Sequence, residues 1–250
     1  MPASRPRVLA IAAAFLVVFS VAARDKKPPA PLPARPASPA VETLPDVLAR
    51  FDAVQATIRT FSADFVQTTR NPLLKEPLVA DGRFFLTKPD SVLWEYTSPE
   101  AMRLVVAGGQ YTGYFPERKR AEKRDIRRWS EQLFRFFGLG QGSTELGKFY
   151  EIALGDPGSG TKDSYVLLLT PKKRRIKKSL DEARLWVDRA SLLPLRIEYF
   201  GKDGNQREIR FLDARLNPDL AAGLYRVDLP GDVQVTNSFS GFDVATTRAH

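Results

Sequence analysis

The chain has 250 residues, 43% of them hydrophobic, and its 38 Lys and Arg against 29 Asp and Glu give a formal net charge of +9. That length and apolar share suffice for a sizeable core in one large domain or two small ones. The absence of cysteine removes disulfides and thiolate chemistry, and a single histidine at the last position, His250, argues against Ser-His-Asp triads and histidine-rich metal sites.

At the start, Arg5 and Arg7 precede an uncharged apolar run from Val8 to Phe19, followed by the small residues Ser20-Val21-Ala22-Ala23. This pattern predicts a secretory signal over residues 1–23. The apolar run is shorter than the roughly 20 residues that span a bilayer, which favours a signal over a retained anchor. No cysteine follows it, so lipid attachment of the lipoprotein type is excluded. Loss of Arg5 and Arg7 with the signal would leave 36 basic against 29 acidic residues, a net +7. A basic, exported protein suits anionic membrane surfaces or acidic partners, and export argues against nucleic acid. Residues 24–40, RDKKPPAPLPARPASPA, read as an extended linker without an apolar period. A folded domain is expected over 41–236 and a flexible tail over 237–250.

In the domain, Thr43 can cap a first helix that has Pro45 and Asp46 in its opening turn. Leu44, Val47, Leu48, Phe51, Val54 and Ile58 follow at helical spacing, so its apolar side should pack on a sheet. The alternation then changes to period two. Phe61, Ala63, Phe65 and Gln67 share one face, and Phe84, Leu86 and Lys88 another. Strands are predicted over 62–69, 78–87, 91–96, 103–107, 110–115 and 119–123, then over 149–154, 165–170, 183–188, 194–200, 206–215 and 225–228. Lys88-Pro89-Asp90, Gly108-Gly109 and Lys202-Asp203-Gly204-Asn205 fit hairpin turns between antiparallel neighbours. So many short strands with few helices imply a mainly β fold, a strongly curved antiparallel sheet or barrel. A helical interruption is expected over 125–137, with Ile126, Trp129, Leu133, Phe136 and Phe137 on one side, and a second short helix over 144–148.

The order Phe61-Ser62-Ala63-Asp64-Phe65-Val66-Gln67, Gly82, Lys88-Pro89, Leu93-Trp94-Glu95-Tyr96, Pro99, Gly109 and Tyr114 to Pro116 resembles the LolA family of periplasmic lipoprotein carriers. Leu168 to Pro171, Leu185 to Asp188, Leu193-Pro194, Asp203-Gly204, Ile209 to Phe211 and Tyr225 to Val233 resemble that family's second half. The resemblance implies an incomplete β-barrel whose concave, apolar face is covered by helices and carries acyl chains across the periplasm. Cargo would be acylated lipoproteins or another lipid. An inner-membrane releasing transporter and an outer-membrane acceptor would be the partners, and the protein would be a monomer without cofactor or metal.

On this footing Phe61, Phe65, Phe84, Leu86, Val92, Trp94, Tyr96, Leu104, Val106 and Tyr114 are the expected cavity lining. Trp129, Leu133, Phe136 and Phe137 would belong to a lid. Lys88 stands where the resembling family places an arginine thought to bind helix carbonyls and hold that lid shut; lysine keeps the charge but lacks the planar fork. Two basic tracts, with Arg118, Lys119 and Arg120 in one and Lys172, Lys173, Arg174 and Arg175 in the other, would guide the protein to anionic lipid or an acidic partner. Two other readings compete. One is a lipid-responsive sensor on the same fold, and the other is a hydrolase using carboxylates such as Asp64, Glu95 and Asp188.

Overall fold

The computed structural model describes residues 42–127, 142–156, 158 and 163–238. The expected signal, linker, most of the tail and the lid positions Trp129, Leu133, Phe136 and Phe137 lie outside these.

Helix α1 spans Leu44–Thr57. Its start is held by Asp46, whose carboxylate accepts hydrogen bonds from the Thr43 backbone at 3.0 Å and the Thr43 hydroxyl at 2.5 Å. These bonds, the hydroxyl's first, keep the Asp46 carboxyl below its ordinary pKa. The strands follow as β1 (Thr60–Arg70), β2 (Leu78–Thr87), β3 (Ser91–Ser98), β4 (Met102–Ala107), β5 (Gln110–Phe115) and β6 (Arg120–Asp125). After helix α2 (Ser143–Gly147) come β7 (Tyr150–Gly155), β8 (Ser164–Pro171), helix α3 (Arg174–Lys177), β9 (Leu180–Asp188), β10 (Pro194–Gly201), β11 (Gln206–Leu216) and β12 (Gln234–Thr236). They form one open, strongly curved sheet in the order β12-β6-β5-β4-β3-β2-β1-β11-β10-β9-β8-β7. All neighbours are antiparallel except β12 and β6. The mainly β, curved, antiparallel fold read from the alternation is therefore the observed one.

Curvature has a local cause. The register shifts at four places, with the extra residue in β11 opposite Ser62–Asp64, in β3 opposite Asp81–Gly82, in β10 between Pro194 and Arg196, and in β9 opposite Phe200–Gly201. An unpaired extra residue at each bends its strand and adds twist. At the first shift, Asp213 takes the left-handed φ of 50°.

Two expectations need correction. Residues 225–228 are not a strand. The segment after β11 crosses the convex face of the first half-sheet, where Arg103 donates to the Leu224 carbonyl at 2.9 Å and the Tyr225 and Thr87 hydroxyls meet at 2.7 Å. It then adds β12, a three-residue edge strand too short to show any period. Asp125 ends β6 and Ile126 and Arg127 are not helical, so the expected 125–137 helix does not begin at Asp125. Within the second basic tract, residues 174–177 form the short helix α3.

The strand directions create two poles. β1 runs away from α1, so the ends of β2, β4 and β6 and the starts of β3 and β5 lie at the helix pole, as do their counterparts in the second half. The turns at 71–77, 99–101, 116–119, 172–179 and 202–205 gather at the opposite, turn pole.

Candidate functional site

Period two decides which side chains line the concave face. From Phe61 the register runs to Leu86 and Val92, from Ala63 to Phe84 and Trp94, and from Phe65 to Gly82 and Tyr96. It continues from Trp94 to Leu104 and from Val92 to Val106. Nine of the ten expected lining residues, Phe61, Phe65, Phe84, Leu86, Val92, Trp94, Tyr96, Leu104 and Val106, are thus side by side and buried in one apolar cluster. Tyr114 is the exception. It pairs with Arg103 and Ala121, whose parity is that of the convex face. Tyr111 takes the concave place opposite Val106 and is fully buried.

The floor is an aromatic mosaic. Phe65 meets the edges of Trp94 and Tyr96 with centroids 4.9 and 5.0 Å away, and Phe84 lies 4.5 Å from Trp94 and 5.9 Å from Phe211. Such edge and tilted contacts add to the burial of large apolar areas. Gly82 makes room for it: a Cβ there would stand 2.8 Å from the Phe65 ring and 2.2 Å from the Glu95 carbonyl.

The second half of the sheet supplies an equal wall that the sequence reading omitted. Leu167, Leu169, Leu185, Val187, Ile197 and Ile209 join the same buried cluster. Their signal was present, because each recurs at alternate positions of its strand, like the residues of the first half.

Helix α1 presses Val47, Phe51 and Gln55, four apart, into this face. Polar clamps hold it to the helix pole on both flanks. Arg50 donates to the Tyr165 hydroxyl at 3.1 Å and to the Arg189 carbonyl at 2.8 Å. Asp52 accepts from the Ser143 hydroxyl at 2.6 Å, tying α1 to α2. Asn217 donates to the Thr57 carbonyl at 3.0 Å. Lys88, at the end of β2, donates from Nζ to the Gln55 carbonyl at 2.6 Å. Partial burial depresses the Lys88 pKa, but the charge-assisted bond engages a carbonyl that the helix end leaves without an intrahelical donor.

Both basic tracts reach the turn pole and differ there. Arg118 pairs with Glu100 at 2.5 Å, Lys119 with Asp232 at 2.8 Å and Arg120 with the buried Glu122 at 2.7 Å. Lys172 donates to the Gly147 carbonyl at 2.7 Å. Lys173, Arg174, Arg175, Lys177 and Lys178 are exposed, with no ion pair among the described residues.

The carboxylates weighed for hydrolysis are occupied elsewhere. Glu95 sits on the convex face between Arg83 at 2.7 Å and Arg103 at 3.6 Å. Asp64, exposed, is on the same face in β1. Asp188 accepts the backbone and hydroxyl hydrogens of Ser191 and the backbone hydrogen of Ala190, which organise the β9–β10 turn and lower its pKa. The three therefore do not share a cleft.

Among protein families, residues 56–228 match the one described as outer membrane lipoprotein carrier protein LolA. No curated protein matches the chain. Among solved structures, an uncharacterized conserved protein from Thermus thermophilus is 13% identical, with 76% of this chain and 96% of that one aligned at a TM-score of 0.48. A LolA superfamily protein from Nitrosomonas europaea is 14% identical over 75% of this chain and 99% of the other, at 0.39. The MucA/MucB complex of Pseudomonas aeruginosa contains a chain 15% identical, aligned over 76% of this chain and 62% of its own length, at 0.43.

Proposed function

The chain belongs to the LolA family of outer membrane lipoprotein carriers, and from that membership we propose that it sequesters the acyl chains of lipoproteins and shuttles them across the periplasm without covalent chemistry. The observation that carries this reading is the continuous apolar face assembled from both half-sheets beneath a helix that polar clamps hold in place. An acyl chain costs about 0.8 kcal/mol per CH₂ to leave in water, so a soluble carrier must offer a comparable apolar lining and still surrender it. A cover held by a handful of polar bonds meets both demands, because opening it exchanges those bonds for bonds to water. Lys88 is one such clamp, and we assign it the role of holding α1 down while cargo is retained.

The exposed cations of residues 172–178 support approach to anionic lipid, each worth about 1 kcal/mol near a bilayer. An apolar face recognises no particular headgroup, so a glycolipid or another amphiphile is the runner-up cargo. Native mass spectrometry and lipid extraction of the protein purified from the periplasm decide the matter. Co-purifying acylated polypeptide is the expected result. Free lipid alone would move the reading to lipid carriage, and protein that is empty and takes up no amphiphile would overturn both.

A further inference from the structure

At the turn pole the concave face changes character. Beyond Phe65, β1 continues on the same side with Gln67 and Thr69, which are 3% and 2% exposed. The Tyr96 hydroxyl donates to Gln67 Oε1 at 3.1 Å, leaving the amide hydrogens of Gln67 as donors. In β11, Arg207 follows Ile209 and Phe211 on the concave side, with Thr69 as its partner in β1 and Tyr199 in β10. Tyr150 opens β7 at the same pole, paired with Pro171 at the end of β8, so the register sets Thr69, Arg207, Tyr199 and Tyr150 on the concave side of the turn pole, and the Arg207 charge bears on the buried phenols of Tyr96 and Tyr199.

Two hydroxyls there are buried without a hydrogen-bond partner among the described residues, Thr69 Oγ1 and Tyr150 Oη, with Tyr150 itself 2% exposed. A folded protein rarely leaves such donors unsatisfied, and each calls for a missing partner. A guanidinium on the same concave side as hydroxyl and amide donors, beyond an aromatic trough, is chemically complementary to an oxyanion attached to a hydrocarbon chain.

We propose that Gln67, Thr69, Tyr96, Tyr150 and Arg207 form a headgroup subsite that takes an anionic, oxygen-rich headgroup while the acyl chain lies over the aromatic floor toward α1. This rests on the reading that the face holds an acyl chain, and adds to it a direction and a charge. The headgroup would lie at the pole that carries the exposed cations of residues 173–178, where a membrane would meet it.

The test compares binding of a single-chain lysophosphatidate with that of the monoacylglycerol bearing the same chain, both as monomers, to the delipidated full chain. The phosphate compound should bind about tenfold tighter. Arg207→Gln should bring the ratio close to one, and Arg207→Lys, which keeps the charge, should preserve most of it. Inorganic phosphate alone should not bind at millimolar concentration, since the headgroup is held through its chain; tight binding of it would overturn the subsite as one for lipid headgroups. Equal binding of the two lipids to the unsubstituted protein, or an unchanged ratio in Arg207→Gln, would overturn the inference and leave the carrier reading standing. Failure of both lipids to bind would instead sink the carrier reading.

Discussion

The helix pole and the turn pole end the same alternating strands in opposite ways. At the helix pole, α1 lies across the concave face: Lys88 and Asn217 donate to its Gln55 and Thr57 carbonyls, and its own Arg50 donates to the Arg189 carbonyl beside β9. At the turn pole no helix of comparable length among the described residues crosses the face; polar side chains replace the aromatics and short turns carry the charges. The apolar middle is common to both, so it can explain affinity for hydrocarbon and nothing about direction. Retention, release and approach to a surface must be written in the two ends, and four experiments probe that division.

The largest effect belongs to the shared floor. Trp94→Ala removes a buried ring packed against Phe65 and Phe84 and should lower unfolding stability by about 3–5 kcal/mol, seen in urea titration. A loss under about 1 kcal/mol would mean that the floor is not close-packed and that the poles alone hold the sheet curved.

Next comes the turn pole. Replacing Lys173, Arg174 and Arg175 by glutamine should weaken co-sedimentation with anionic vesicles about a hundredfold at low salt. Neutralising Arg118 and Lys119, which already pair with Glu100 and Asp232, should cost far less. Equal losses would show that ion pairing within the protein does not distinguish the tracts.

At the helix pole, Lys88→Ala deletes one charge-assisted bond to the Gln55 carbonyl, worth about 1–2 kcal/mol. Cargo dissociation should quicken about tenfold while the melting temperature moves little. Unchanged dissociation would remove Lys88 from cargo retention.

The sequence made the middle of the molecule far more legible than its ends. Eleven of the strands announce themselves because a half-buried strand must alternate, and turn pairs such as Gly108-Gly109, with φ of 56° and 72°, mark where they reverse. Nine of the ten residues that the family resemblance implies as cavity lining fall on the concave, buried face. Tyr114 falls on the convex face, since QYTGYF carries aromatics on both faces and only the pairing with β4 fixes which one is concave. The crossing segment after β11 looked like a strand because Tyr225 and Val227 alternate, yet its partners are the side chains of Arg103 and Thr87 on the convex face and no neighbouring strand. Lys88 was singled out through family resemblance, whereas the polar turn pole was missed altogether. Gln67 and Arg207 look ordinary in a linear reading, and their common region exists only once β1 and β11, joined across most of the chain, are in register.

The smallest effect is the most discriminating, because it separates stability from binding at the turn pole. Tyr150→Phe removes a buried hydroxyl that has no partner among the described residues, so the empty protein should gain about 1 kcal/mol of stability. A loss of that size would reveal a partner for the hydroxyl and weaken the headgroup subsite. The alkaline limb offers an independent check. Burial pushes the phenols of Tyr96 and Tyr150 up to about 12, above the ordinary value of about 10 that they regain on unfolding. The folded form therefore keeps protons that the unfolded form releases, and the stability these groups lend is complete below about pH 10 and is lost as pH rises through about 12. Part of the tyrosinate absorbance should titrate late, and Tyr150→Phe should shrink that late part and flatten the fall in stability across that interval. Since the same substitution should also reduce the preference for the anionic lipid, a variant that is more stable and less selective would place the unpaired hydroxyl in ligand binding and not in folding.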